Sequence, residues 1–180
     1  MRGAPGTMNL IRPHSAEEAL KLLSEFPHAI ALAGGTAFMV GWNSGLPNIK
    51  TVLDLSQIRQ WEKIVVLKNA INIGALATHS SIQKHPLIRR KFTLLVEACS
   101  TIGAIAIQNR GTLGGNIANA SPAGDSFPAL AVYEAEIHVR SHHGERKIAF
   151  SQIFAGVKKT TLISGELIEG IEIPFLKRKP

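Results

Sequence analysis

The first third of the chain alternates short apolar runs with one amphipathic segment and one glycine pair. Ser15–Glu18 has the form of a capping box and predicts the start of an amphipathic helix. The apolar run 29–33 predicts a strand that ends at Gly34-Gly35, after which Thr36 caps a second short helix. Residues 51–55 predict another buried strand. This order of strands, glycines and helices predicts a small α/β lobe.

From Ile64 onward the pattern becomes that of hairpins. Residues 63–67 and 70–75 are two apolar segments separated by a short polar turn, and 136–141 and 145–150 form a second such pair. A final alternating segment covers 166–174. These segments predict a mainly antiparallel sheet.

Two helices are predicted between the hairpins. Thr78 begins a short one, and Pro86 occupies the first turn of a longer one, where its missing N–H is tolerated. The apolar positions of the longer helix are spaced four, three and four residues apart: Ile88, Phe92, Leu95 and Cys99. This spacing predicts that Cys99 packs in the core and takes no part in catalysis.

The chain of 180 residues with 45% hydrophobic residues is long enough for one domain with a real core. The whole pattern predicts an α+β protein. We expect one domain over residues 1–180, with a small N-terminal α/β lobe (1–56) and a larger lobe (57–180) of mainly antiparallel sheet and helices.

The net charge of +7 raises the question of nucleic-acid binding. The basic residues are scattered, with short clusters only at 89–91 and 177–179, and no aromatic residues interleave with them as stacking platforms. A solvated helix face and a chain end are the better interpretation, with a docking surface for an acidic partner left open. We therefore expect no nucleic-acid partner.

A single cysteine excludes an internal disulfide and a cysteine-ligated metal cluster. No apolar run reaches the roughly 18–20 residues of a membrane span, and the N-terminus lacks the apolar region of a signal peptide. A cytoplasmic location is the resulting expectation.

Two glycine-rich stretches carry the candidate chemistry. Residues 109–126 contain four glycines and three asparagines but no lysine, and residues 31–38 contain Gly34-Gly35. Glycines let backbone amides converge on an anion, and a following helix adds its first-turn N–H groups. Two such loops suggest a diphosphate held from both sides, while the alternative is that the glycines only make turns. Neither a phosphate-loop motif nor G-x-G-x-x-G is present.

Several motifs occur together in the order and spacing of one known family. These are "ALAGGT", "IGALATHSSI", "IQNRGTLGGNIANASPAGDSFPAL" and "GELIEGIEIP", within a similarity that runs from about residue 9 to 175. The chain resembles the FAD-binding (medium) subunit of molybdenum hydroxylases, such as xanthine dehydrogenase and carbon monoxide dehydrogenase. The resemblance implies a two-lobed FAD-binding fold of the PCMH (vanillyl-alcohol-oxidase-like) type.

The resemblance also assigns residues to the cofactor. The two loops are implied to hold the pyrophosphate through Ala33, Gly34, Gly35, Thr36 and Ala37, and through Thr112, Leu113, Gly114, Gly115 and Asn116. Asn119 and Asp125 correspond to contacts with the polyol chain or nearby polar atoms, although Asp125 would equally cap the next helix. Ile102 and Ile168 correspond to positions beside the isoalloxazine ring, and each is also compatible with ordinary core.

Departures from the family limit what can be carried over. Relatives usually continue into a third, C-terminal domain, so we expect that domain to be absent here. No His or Cys lies in "AGGTAF", so FAD is expected to be non-covalent. His79 fits a surface position at a helix start better than a cofactor contact. Neither a catalytic residue nor a metal site is expected.

The function implied by the resemblance is electron transfer. The chain would be the FAD subunit of a multi-subunit molybdenum hydroxylase, taking electrons from [2Fe-2S] clusters on a small subunit and passing them to an external acceptor. The molybdenum cofactor would lie on a large catalytic subunit, making the assembly a hetero-oligomer. The alternative is a stand-alone flavin-binding or assembly module without catalytic activity.

Overall fold

The computed structural model describes residues 8–43 and 49–175. The predicted basic cluster at 177–179 lies outside these residues. The strands are β1 (Asn9–Ile11), β2 (Ile30–Leu32), β3 (Thr51–Asp54), β4 (Ile64–Val66), β5 (Ala70–Gly74), β6 (Glu136–Ser141), β7 (Gly144–Ala149), β8 (Phe154–Gly156), β9 (Lys159–Thr160) and β10 (Leu167–Pro174). The helices are α1 (Ala16–Glu25), α2 (Thr36–Asn43), α3 (His79–Lys84), α4 (Pro86–Lys91), α5 (Thr93–Thr101), α6 (Ile105–Gln108), α7 (Leu113–Asn119) and α8 (Ser126–Val132).

The N-terminal part forms a three-stranded parallel sheet in the order β1-β3-β2. Ser15 caps α1 as predicted, because its hydroxyl accepts a hydrogen bond from the Glu18 amide at 3.1 Å. The buried face of α1 packs with Leu53 of β3, and its members are Ala16, Ala19, Leu20 and Leu23. The same core includes Trp61 and Leu167 from beyond residue 56, so the lobe boundary stays a prediction.

The larger sheet has five antiparallel strands in the order β4-β5-β10-β6-β7. Both predicted hairpins are confirmed, and the alternating segment near the C-terminus becomes the central strand, β10. Its residues Ile171 and Ile173 are fully buried in the main core. The sheet therefore presents one apolar face to the helices α3, α4, α5, α7 and α8.

The single long helix predicted from Pro86 is instead two helices, α4 and α5, which meet at Phe92. Phe92 leaves helical geometry with φ −129° and ψ 52°, and its ring packs edge-on against Tyr133 at 5.1 Å between centroids. The Tyr133 hydroxyl accepts a hydrogen bond from the Leu94 amide at 3.3 Å, in the first turn of α5. All four apolar positions still face the core, because the break changes the helix direction without exposing them.

Charged and polar side chains tie the two sheets together. Arg140 on β6 contacts Glu17 of α1 at 2.8 Å and Glu169 of β10 at 3.2 Å. The indole N–H of Trp61 donates to the same Glu169 carboxylate at 3.1 Å. These contacts fix the N-terminal sheet against the end of the larger one. Among the described residues no helix is both long and apolar enough to cross a bilayer.

Candidate functional site

The two glycine-rich turns meet backbone to backbone. A Cβ built on Gly34 would overlap the Arg110 carbonyl and would lie 3.1 Å from the Cα of Gly111. A Cβ built on Gly115 would lie 3.5 Å from the Cβ of Ala33. Only glycine at position 34 therefore allows the turn after β2 to lie this close to the segment before α7.

The start of α7 is fixed to the segment that follows β5. The amides of Leu113 and Gly114 donate to the carbonyls of Ala77 and Ala75 at 3.1 and 3.0 Å. The Gly115 amide donates to the Thr112 hydroxyl at 3.1 Å. These amides already have acceptors within the protein, so α7 contributes a packed wall to the site.

The turn after β2 has the opposite character. The first intrahelical hydrogen bond of α2 runs from the Met39 amide to the Gly35 carbonyl at 2.9 Å. Within the described residues, the amides of Thr36, Ala37 and Phe38 have no acceptor. Gly35 adopts φ +77°, a left-handed conformation that favours glycine. Free first-turn amides together with the helix dipole form an anion-binding arrangement.

A cavity of about 900 Å³ lies between these turns. Its volume is at the upper end of the range of ligand sites, about 300–1,000 Å³. The predicted site residues that line it are Ala33, Gly34, Gly35, Thr36, Ala37, Ile102, Thr112, Gly114, Gly115, Asn116, Asn119 and Ile168. The structure thus brings together residues that are up to 135 positions apart, from Ala33 to Ile168.

Two predicted site residues lie outside this lining. Leu113 is fully buried and its side chain belongs to the main hydrophobic core, because it is on the inner face of α7. Asp125 is exposed just before α8. It occupies the N-cap position of α8 without a capping hydrogen bond from its side chain, and its assignment to FAD stays a prediction.

A smaller cavity of about 310 Å³ adjoins the larger one and shares Ala33, Gly34 and Thr112 with it. It adds two cationic side chains, Arg59 and Arg110. Arg59 forms an ion pair with Glu62, at 2.9 Å between Nη1 and Oε1. The Arg110 side chain has no partner among the described residues and remains available to an anion.

Sequence reasoning missed the ionised residues at the cavity wall. Lys158 donates from Nζ to the Asn119 side chain at 3.0 Å, and its backbone has φ +57°. Glu166 is nearly buried and accepts two hydrogen bonds from Arg146, which holds the pKa of this carboxyl below its ordinary value. No motif marks Lys158, and the motif that contains Glu166 gives no sign that its side chain reaches the cavity, because both residues arrive there through tertiary packing.

The expectation that His79 lies at the surface is wrong. Its side chain is 1% exposed and lines the cavity beside Gly111. Burial lowers its pKa to about 4, so the ring is neutral near pH 7. Nδ1 lies 3.6 Å from the sulfur of Cys99, and burial raises the pKa of that thiol to about 12. The packing role predicted for Cys99 is confirmed.

The sequence of this chain matches that of known proteins. A profile described as "FAD binding domain in molybdopterin dehydrogenase" matches residues 6–176. The chain belongs to this family. The chain is similar to the nicotinate dehydrogenase FAD-subunit of Eubacterium barkeri, which is 36% identical over 147 residues, covering 80% of this chain and 49% of that subunit. The glyceraldehyde dehydrogenase medium chain of Sulfolobus acidocaldarius is 31% identical over 172 residues, covering 96% of this chain and 61% of that one.

Solved structures agree with this assignment. Carbon monoxide dehydrogenase from Hydrogenophaga pseudoflava matches with a TM-score of 0.93 and 26% identity, covering 97% of this chain and 61% of that chain. The enzyme from Oligotropha carboxidovorans matches with a TM-score of 0.92 and 27% identity, with the same coverage. The expected α+β flavin-subunit fold is confirmed. The chain spans about three fifths of these relatives' length.

FAD, the cofactor of this family, fits the residues present. Its diphosphate matches the free amides at the start of α2, and a cavity of about 900 Å³ with a smaller one beside it offers room for the rest of the molecule. The apolar side chains of Ile102 and Ile168 offer surface for a planar ring. No group of three His, Cys, Asp or Glu side chains suited to a metal occurs in residues 8–43 and 49–175.

The contact between the two turns predicts a difference between neighbouring glycines. Gly35→Ala introduces only left-handed strain, since its Cβ would be 3.7 Å from the nearest atom, and we expect a loss of about 1–2 kcal/mol in unfolding free energy. Gly34→Ala forces the turns apart and should cost more than Gly35→Ala. Urea denaturation of both variants measures this, and equal losses would contradict the contact.

The buried neutral His79 predicts an acid-sensitive stability. Its pKa is about 4 in the folded protein against an ordinary value of 6.5, so below pH 6.5 the unfolded chain binds a proton that the folded chain does not. Above pH 6.5 His79 is neutral in both states and does not lower the free energy of unfolding. As the pH falls from 6.5 towards 4, the free energy of unfolding decreases by roughly 3 kcal/mol in total. We expect His79→Gln to lose less stability than the parent across this window in denaturation series. If the unfolding free energies of the parent and His79→Gln fall in parallel with pH, His79 is not the source of the acid sensitivity.

Proposed function

We propose that this chain binds FAD non-covalently between its two glycine-rich turns and is the flavin subunit of a multi-subunit oxidoreductase. The observation that carries the proposal is the contact of Gly34 with the Arg110–Gly111 backbone, which sets the free amides of α2 beside a cavity of about 900 Å³. Family membership supports the same cofactor.

Each wall of the cavity has a distinct part in binding. Thr36, Ala37 and Phe38 supply backbone amides to the diphosphate, and Thr36 adds a hydroxyl. Thr112, Gly114 and Gly115 keep α7 close enough to form the opposite wall without side chains in the way. Asn116 and Asn119 face the cavity with amide groups suited to polyol hydroxyls. Ile102 and Ile168 exclude water from one region of it.

The redox role rests on the relatives. FAD, when bound, supplies the electron-transfer chemistry, and the residues of this chain hold and shield it. The matched proteins are dehydrogenase subunits, including medium chains of glyceraldehyde and carbon monoxide dehydrogenases. We infer partners that carry [2Fe-2S] clusters and a molybdenum cofactor, in a cytoplasmic hetero-oligomer. The substrate of that assembly belongs to the catalytic partner.

The alternative, a stand-alone flavin-binding module, has the same cavity and differs in its partners. Affinity purification of the chain from its native cells separates the two. Recovery of iron–sulfur and molybdenum-containing subunits supports the electron-transfer role. Recovery of the FAD-loaded chain alone supports the stand-alone module.

The cofactor assignment predicts FAD binding that depends on one of two similar glycines. Gly35 (φ +77°) and Gly165 (φ +84°) have similar backbones, but only Gly35 lines the cavity. Gly35→Val should weaken FAD binding at least about tenfold, or 1.4 kcal/mol, because a branched side chain blocks the approach to the amides. Gly165→Val controls for backbone strain and should retain FAD.

Titration of apo-protein with FAD, followed by flavin fluorescence and absorbance, measures both variants. The parent should bind one FAD per chain. Absence of binding by the folded parent would refute the proposed function. Equal affinities of the parent and the folded Gly35→Val variant would refute the position of the diphosphate.

A further inference from the structure

Hydrogen bonds at His79 and at the preceding residue fix the backbone that carries the His79 side chain. Its amide donates to the Gly111 carbonyl at 3.1 Å, which joins the start of α3 to the second glycine-rich segment. The preceding residue, Thr78, caps α3 by accepting from the Ser81 amide at 3.1 Å. These hydrogen bonds fix the backbone of His79, and therefore the point at the cavity wall from which the imidazole extends.

The ring is oriented by a buried thiol. Nδ1 of His79 lies 3.6 Å from the sulfur of Cys99, which is 0% exposed on α5. The raised pKa of the thiol, about 12, keeps its proton on sulfur, and the lowered pKa of His79, about 4, keeps one proton on the ring. This contact is compatible with both neutral tautomers, and the one in which the thiol donates to Nδ1 has the ring proton on Nε2, next to the cavity.

The opposite edge of the ring lies at the cavity wall, against the backbone of Gly111. A Cβ built on Gly111 would lie 3.1 Å from Cδ2 and 3.4 Å from Nε2 of His79, so the absence of a side chain at position 111 leaves that edge open. Both residues line the larger cavity. Nε2 has no hydrogen-bond partner among residues 8–43 and 49–175. Nε2 is not among the fully enclosed polar atoms that lack a partner, so it is accessible from the cavity and can donate to a ligand there.

The position of the Nε2 edge of His79 limits which chemical groups of a ligand can bind to it. Gly111, against which the ring packs, also lies beside Gly34 at the contact of the two turns. The ligand atom near Nε2 is therefore close to the proposed diphosphate site. Phosphate and ribityl oxygens in this region of FAD accept hydrogen bonds, whereas a cation would be repelled by an N–H donor.

We propose that His79 is a cofactor-binding residue whose Nε2–H donates a hydrogen bond to an oxygen of the diphosphate–ribityl segment of FAD, with Cys99 fixing the ring orientation. The proposal rests on the proposed function. It assigns to the His79–Cys99 pair a role in cofactor affinity that requires no change in the charge of the ring.

Ring-nitrogen NMR of protein labelled with ¹⁵N-histidine tests this directly. We expect His79 in apo-protein at pH 7 to be neutral with its proton on Nε2, and we expect the Nε2 resonance to shift on addition of FAD. ADP and riboflavin separate the two sources of oxygen, because ADP carries the diphosphate alone and riboflavin the ribityl chain alone. A proton on Nδ1, or an unchanged Nε2 resonance at FAD saturation, would overturn the proposal.

Binding to variants gives an independent readout. His79→Phe should weaken FAD binding about tenfold, the loss of one hydrogen bond. His143→Phe, at the exposed hairpin tip, is the control and should bind FAD like the parent. If His79→Phe fails to fold, Cys99→Ala replaces it, with a smaller loss of affinity and a mixture of ring tautomers expected. Parent-like FAD affinity in the folded His79→Phe variant contradicts the proposal while leaving the proposed function intact.

Discussion

Close approach of backbone to backbone is the constraint on which this structure depends. Gly34, Gly74 and Gly114 each lie where a Cβ would collide with a neighbouring carbonyl, of Arg110, Trp61 and Ala75 respectively. At these positions three parts of the chain lie against one another: the N-terminal sheet, the segment that follows β5, and α7. Glycine there serves the packing of one segment on another, and the cavity is a consequence of that packing. Among the described residues, the start of α2 contributes the unpaired amides of Thr36, Ala37 and Phe38 to the site.

Local patterns predicted most of the regular structure. Alternation identified both hairpins and β10, and Ser15 identified the start of α1, because these signals depend on neighbours in sequence. The helix break at Phe92 was missed, since apolar spacing is the same in one helix or in two that face one core. His79 was misplaced because its burial depends on Gly111 and Cys99, which are distant in sequence.

The family resemblance predicted more of the candidate site than the chemistry of the residues alone did. Glycine pairs indicated an anion site, but the residues alone left open whether they only made turns. The structure separates the two loops in a way that no motif shows: α2 has free amides, while the amides of Leu113 and Gly114 are bonded to β5's following segment. Lys158 and Glu166 were missed because no sequence pattern shows that they reach the cavity, and only the folding of β8, β9 and the next loop brings them there.

A crystal structure of the chain with FAD tests the central claim most directly. We expect the diphosphate within hydrogen-bond distance of the amides of Thr36 to Phe38, with α7 as the opposite wall and Leu113 and Asp125 out of contact. A diphosphate bound away from the start of α2, or an FAD molecule outside the cavity between the two turns, would contradict it.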